Sequence, residues 1–279
     1  MDPAPLVKSR YFPARFVFGF LLAILVPAGP ATSQEEPAGE PGHEREELGV
    51  NRYTAPRIEH VFDQLDKLKP LPFAQLWREL PASSPTRREQ KGLIFGGLIA
   101  DGFLIVTAEK QDRVDELGRV LIREARGLGV AERVMRHSAS LTDLGRAGNW
   151  TAMRQELIAT QADVEQAMID LRDEKMAALI SLGGWLRGLE MGAAAVEARF
   201  SPERASVLAQ PELLNYFVEE LNTLPPLVAH TPVFKKLRSG LHEIHSTLAQ
   251  SGPSGLQLAQ VRAIHEQARD LDLTLRQNH

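Results

Sequence analysis

The chain has 279 residues, which allows one large or two small domains, and 43% are hydrophobic, enough to bury a core. Aromatics are only 6%, so packing rests on Leu, Ile, Val and Ala; the absence of cysteine excludes disulfides, thiolate metal sites, a cysteine nucleophile and a lipid-anchor cysteine. A formal net charge of −4 with dispersed bases lacks the basic footprint of a nucleic-acid binder.

Residues 1–33 read as a signal peptide. Lys8, Arg10 and Arg15 precede an apolar run from Phe16 to Val26, and Ala31 and Ser33 stand at −3 and −1 of a cut before Gln34. Pro27, Gly29 and Pro30 end the run too early for a membrane span. A periplasmic or secreted location follows as an expectation, with no span left after cleavage. Loss of three bases and one acid would take the net charge from −4 to −6. Residues 34–55 begin with Glu, Pro and Gly and have little to bury, so they read as a disordered acidic leader.

Residues 56–279 are expected to form a single all-α domain, because alternating strand patterns are missing. The architecture expected is a multi-helix bundle, or an array of antiparallel helical hairpins, around two glycine-rich central helices. Ile58, Phe62, Leu65 and Leu68 mark one short helix stopped by Pro70; Phe73, Leu76, Trp77 and Leu80 mark another before Pro81. Ser84-Pro85 reads as a helix start, opening a central helix to about Glu109. Its segment Gly92–Ala108 is apolar all round except for Asp101 and Thr107, so it must be surrounded by helices or by lipid. A buried helix is expected, because the segment is short for a span and an aspartate at mid-bilayer costs roughly 3 kcal/mol; a membrane helix is the alternative. The Gly92, Gly96, Ala100 row then reads as a groove for another helix.

Asp112 is the expected cap of the next helix, with Val114, Leu117, Leu121, Ala125 and Leu128 on one face and Gly127 and Gly129 at its end. A helix over residues 131–147 closes at Gly148, and Asn149 caps the one carrying Met153, Leu157, Thr160, Val164, Ala167 and Leu171. After Asp173 comes the second small-residue helix, 174–199. Gly184, Gly188 and Gly192 line one stripe of it beside Trp185, with Gly183 as a fourth glycine. An interior helical glycine costs about 1 kcal/mol against alanine, so the stripe implies a backbone in close approach. A brief echo, Leu93-Ile94-Phe95-Gly96-Gly97 against Leu179-Ile180-Ser181-Leu182-Gly183-Gly184, suggests two related core helices. Ser201-Pro202 and Pro211 open further helices, and Leu224-Pro225-Pro226 is a rigid connector. Residues 232–276 form a helical hairpin, with seams Phe234, Leu237, Leu241, Ile244, Leu248 and Val261, Ile264, Ala268, Leu271, Leu275.

Two constellations carry candidate chemistry. Asp101 and Arg187 are charges within apolar, glycine-lined helices; buried charges are normally paired, so they meet if the helices cross, or line a polar ligand pocket beside Trp185. The bland reading pairs Arg187 with Glu190, one turn on. In the hairpin, His242, His245 and His265 fall on one flank and would together suit zinc; His242-Glu243-Ile244-His245 is one residue short of the zinc-protease motif. Ordinary solvated flanks are the plainer reading. No catalytic signature appears, so a non-catalytic envelope module binding a protein or a lipidic ligand is expected. A small-ligand site or enzyme at Asp101, Trp185 and Arg187 is the alternative.

Overall fold

The computed structural model describes residues 58–252 and 255–277; the signal-peptide and leader assignments lie outside these residues. The described chain is helical, with an isolated bridge between Gly252 and Gly255 and no strand. In order come α1 (Ile58–Lys67), α2 (Phe73–Leu76), α3 (Arg88–Thr107), a 3-10 turn, α4 (Val114–Leu128), α5 (Ala131–Arg146) and α6 (Trp150–Asp170). They are followed by α7 (Glu174–Ala198), α8 (Pro202–Ser206), α9 (Pro211–Asn222), α10 (Pro226–Ala229), α11 (Pro232–Ala249) and α12 (Leu258–Arg276).

The apolar pattern places α3 and α7 at the centre. Neither has a polar stripe, and nearly every residue of both is buried. Among the described residues α3 is the one helix long and apolar enough to cross a membrane, but 89% of its most apolar window is covered by the protein itself. The expected groove is real: a Cβ added at Gly96 would overlap the Ile180 carbonyl oxygen and sit 2.8 Å from Gly184 N. Reciprocally, a Cβ at Gly183 would overlap the Leu93 carbonyl and lie 2.8 Å from Leu93 Cα. Each glycine thus rests on the carbonyl three residues before the other, a local two-fold relation that gives the sequence echo its structural meaning. Gly92 faces Met176, Gly96 faces Ile180 and Asp101 faces Arg187, so α3 and α7 run parallel.

Around this pair the packing repeats. α3 packs on α4 and α6, with α4 on α5 and α5 on α6; α7 packs on α9 and α12, with α9 on α11 and α11 on α12. α1 lies across α7, its Phe62, Leu65 and Leu68 buried.

Several expected details shift. The contact with α3 is made by Gly183, whereas Gly192 packs against Leu65, Leu68 and Leu208 side chains, so the 184/188/192 stripe points partly away from the partner backbone. α3 starts at Arg88 rather than Pro85, because the Ser84 hydroxyl is used by the buried Glu124 carboxylate instead of by a helix end. α2 ends at Leu76: Trp77 turns extended, and the following stretch lies along the body. Asp112 gives no cap, since residues 111–113 form a 3-10 turn. Asn149 and Asp173 do cap, accepting from Ala152 N and Met176 N. Gly129, at φ 82°, closes α4 in the left-handed region that suits glycine.

Candidate functional site

The close approach of α3 and α7 brings Asp101 and Arg187 together. Arg187 Nε donates to Asp101 Oδ1 at 2.8 Å, and its Nη1 lies 2.7 Å from Glu190 Oε2, so both pairings weighed from sequence exist at once. A third Asp101 partner comes from the extended stretch after α2: Arg78 Nε and Nη2 donate to Oδ2 at 2.9 and 2.8 Å. Arg78 also pairs with Asp272 on α12, and Arg276 Nε lies 2.9 Å from Asp272 Oδ2. Arg187 and Arg276 donate as well to the Leu76 and Glu79 carbonyls. The cluster therefore joins four segments with three guanidinium groups and three carboxylates, neutral as a set. Burial pushes the Asp272 carboxyl up, but Arg78, Arg187 and Arg276 together outweigh it and hold the group below the usual carboxylate range. Burial works against the charge of Arg78 too, yet Asp101 and Asp272 raise it.

A half-open cleft of about 480 Å³ lies elsewhere, but one of 420 Å³ borders this cluster, with Arg78, Glu190, Asp272 and Arg276 in its wall. Trp185 is absent from it. Its indole Nε1 donates to Gln210 Oε1 at 2.9 Å and its ring tilts against Phe217, 5.4 Å between centroids. The reason is helical: residues two apart point about 200° apart, so Trp185 and Arg187 occupy opposite faces of α7. The expected grouping of the three around one pocket is corrected accordingly.

The hairpin forms with both seams buried, but its histidines do not converge. His265 Nδ1 lies 2.9 Å from Glu197 Oε2 on α7, while His242 is exposed. No group of three His, Cys, Asp or Glu that could hold a metal exists among the described residues, which corrects the His242, His245, His265 zinc reading. α12 packs on α7 as well as on α11, and position 265 serves the former contact.

The 480 Å³ cavity was not legible in the sequence. It lies inside the first set of helices, between α3, α4, α5 and α6. Phe95 and Ile99 of α3, Leu117 and Leu121 of α4, and Met153 and Leu157 of α6 supply its apolar walls. The space has a simple origin. α5 offers Ser138, Ala139 and Thr142 where a core helix would carry larger apolar side chains, and Gly102 and Gly118 face the same region. A Cβ at Gly118 would meet nothing within 4 Å. Thr160 and Gln161, both buried, also line the cavity, but the Thr160 hydroxyl donates to Glu156 O and the Gln161 amide to Glu165. Asp115, Arg119, Asp143 and Arg146 stand at its exposed edge. The α5–α6 wall is held from outside by His137, whose Nδ1 lies 2.8 Å from Glu156 Oε1 and Nε2 3.1 Å from Asp163 Oδ2. That histidine contact is the main influence holding the Asp163 carboxyl below its ordinary value.

No protein-family model, curated protein or solved structure matches this chain.

Proposed function

We propose that the chain is an exported, non-catalytic binding protein that takes a lipidic small molecule into the cavity between α3, α4, α5 and α6. The observation that carries the reading is the cavity itself. Its volume of about 480 Å³ falls within the roughly 300–1,000 Å³ of small-molecule sites, and its walls are mainly apolar, as such sites are. Export rests on the N-terminal sequence pattern, which directs the chain toward the cell envelope. The charged cluster at Asp101 supports a tie between segments rather than a second binding site, because its guanidinium and carboxylate groups are spent on one another.

Titration of the purified chain with N-phenyl-1-naphthylamine, an uncharged probe that fluoresces in apolar surroundings, tests the reading. Saturable binding is expected for the wild type. Gly118→Leu, whose Cβ would meet nothing within 4 Å and whose longer side chain fills part of the cavity, is expected to weaken it strongly while the variant stays folded. No saturable binding by the wild type, or equal binding by a folded Gly118→Leu variant, refutes the proposal.

A further inference from the structure

We infer that the ligand is a single-chain amphiphile with an anionic head, its chain lying along the helices and its head at Arg119 and Arg146. The inference rests on the cavity reading above and adds the shape and charge of the occupant. The lining runs from Phe95 to Ile105 on α3 and from Val134 to Arg146 on α5. At 1.5 Å per residue those stretches measure roughly 15 and 18 Å. A space of that length with a volume of about 480 Å³ is a slot rather than a bowl. An extended hydrocarbon advances about 1.25 Å per carbon, from C–C bonds near 1.5 Å, so roughly a dozen carbons fill it end to end.

Polarity is graded across the slot. Its inner wall is made by the apolar residues of α3 with Met153 and Leu157 of α6, and the two buried polar groups there, Thr160 and Gln161, bond within α6; its charges sit on one edge, at the N-terminal half of α4 and the C-terminal half of α5. These halves are neighbours, since an added Cβ at Gly145 would lie 3.3 Å from Val114 Cγ1. A polar head therefore has one place to go.

The sign follows from which charges there are already matched. Asp115 lies in the first turn of α4, where the backbone N–H groups favour an anion. Asp143 lies 3.9 Å from Arg146 Nη1, the nearest acidic contact Arg146 has. The Arg119 side chain, in the N-terminal half of α4, makes no hydrogen bond or ion pair with any described residue. Guanidinium groups offer several N–H donors in a planar fork, and a carboxylate satisfies two of them at once. An anionic head fits this edge better than a cationic or an uncharged one.

Displacement of N-phenyl-1-naphthylamine by three ligands of equal chain length tests the inference: tetradecanoate, tetradecanol and tetradecyltrimethylammonium. Tetradecanoate is expected to bind at least about tenfold more tightly than tetradecanol, as charge-assisted hydrogen bonds imply, and the ammonium ligand most weakly. The Arg119→Gln/Arg146→Gln variant should bring tetradecanoate down to the level of tetradecanol. Added salt should erode the advantage of the acid alone. Equal binding of acid and alcohol, strongest displacement by the ammonium ligand, or an unaltered acid preference in the double variant overturns the assignment of the head while the bound probe still supports the cavity. Failure of the probe to bind overturns both.

Discussion

The contact between Gly96 and Gly183 is the point at which a single methyl group does the most harm. A Cβ at Gly96 overlaps Ile180 O and lies 2.8 Å from both Ile180 C and Gly184 N. Real Cβ atoms essentially never come within 3.0 Å of such neighbours, and these are backbone atoms that cannot rotate aside. Gly96→Ala must therefore push α3 and α7 apart by roughly an ångström or more, loosening the packing along both central helices. Overpacking costs about 1–3 kcal/mol, and the better helix propensity of alanine returns about 1 kcal/mol. Because the overlap is with backbone atoms the cost falls at the upper end of that range, and the net loss of about 2 kcal/mol should lower the melting temperature by several degrees in a domain of this size. Gly118→Ala is the control: the same propensity gain with nothing within 4 Å should raise it. Because one separation relieves both glycine contacts, Gly96→Ala/Gly183→Ala should cost less than the sum of the single variants. Urea denaturation followed by circular dichroism at 222 nm measures all four. A Gly96→Ala variant as stable as wild type, or strictly additive losses, would refute the reciprocal packing of Gly96 and Gly183.

Replacing Asp101, which is 0% exposed, leaves the 1%-exposed Arg187 without its α3 partner, so Asp101→Leu should cost about 3–5 kcal/mol in the same denaturation experiment. A loss below about 1 kcal/mol would mean that the cluster reorganises freely. Stability should also fall in acid. Asp163, Glu197 and Asp272 have carboxyl groups held below their ordinary values, so their contribution is full above the unfolded-state values and is lost as pH drops through the lower folded-state ones. The melting temperature should decline as pH falls below about 4; a rise there would contradict the sign.

The elements were legible where the signal is local. Ser201-Pro202 and Pro211 open helices because proline fits the first turn, and Asn149 and Asp173 cap because their oxygens reach the third amide along. The seams of the C-terminal hairpin followed from their three-and-four spacing. Legibility ended where distant segments contribute together. Ser84 looks like a cap until the buried Glu124 claims its hydroxyl. Asp101 and Arg187 could be singled out as charges in apolar helices, but Arg78, Asp272 and Arg276 belong to amphipathic or irregular stretches where a charge attracts no notice. Trp185 could have been separated from Arg187 on helical phase alone, which places them on opposite faces.

The cavity was hidden for a different reason: it arises from side chains that are small or missing on three helices at once. Glycine at 102 and 118, and Ser138, Ala139 and Thr142, are each unremarkable within their own helix. The second half of the fold shows what these positions leave undone. There α11, the counterpart of α5 in the order of packing, buries Val233, Phe234, Leu237, Leu241, Ile244 and Leu248. α5 fully buries only Val134 and Gly145. The two halves share a central glycine contact and a sequence of helix neighbours, yet the cleft between α11 and α12 in the second is lined by Lys235, Lys236, Glu243 and Asp270, whereas the cleft of similar volume in the first is walled mainly by apolar side chains. A helix that merely completed a core would gain about 0.8 kcal/mol for each further buried methylene, and α11 is built that way. α5 forgoes that gain while His137 and the Arg136–Asp163 pair still hold it against α6. That wall is fastened at its outer edge and left unfilled within, and the proposed ligand site rests on this combination.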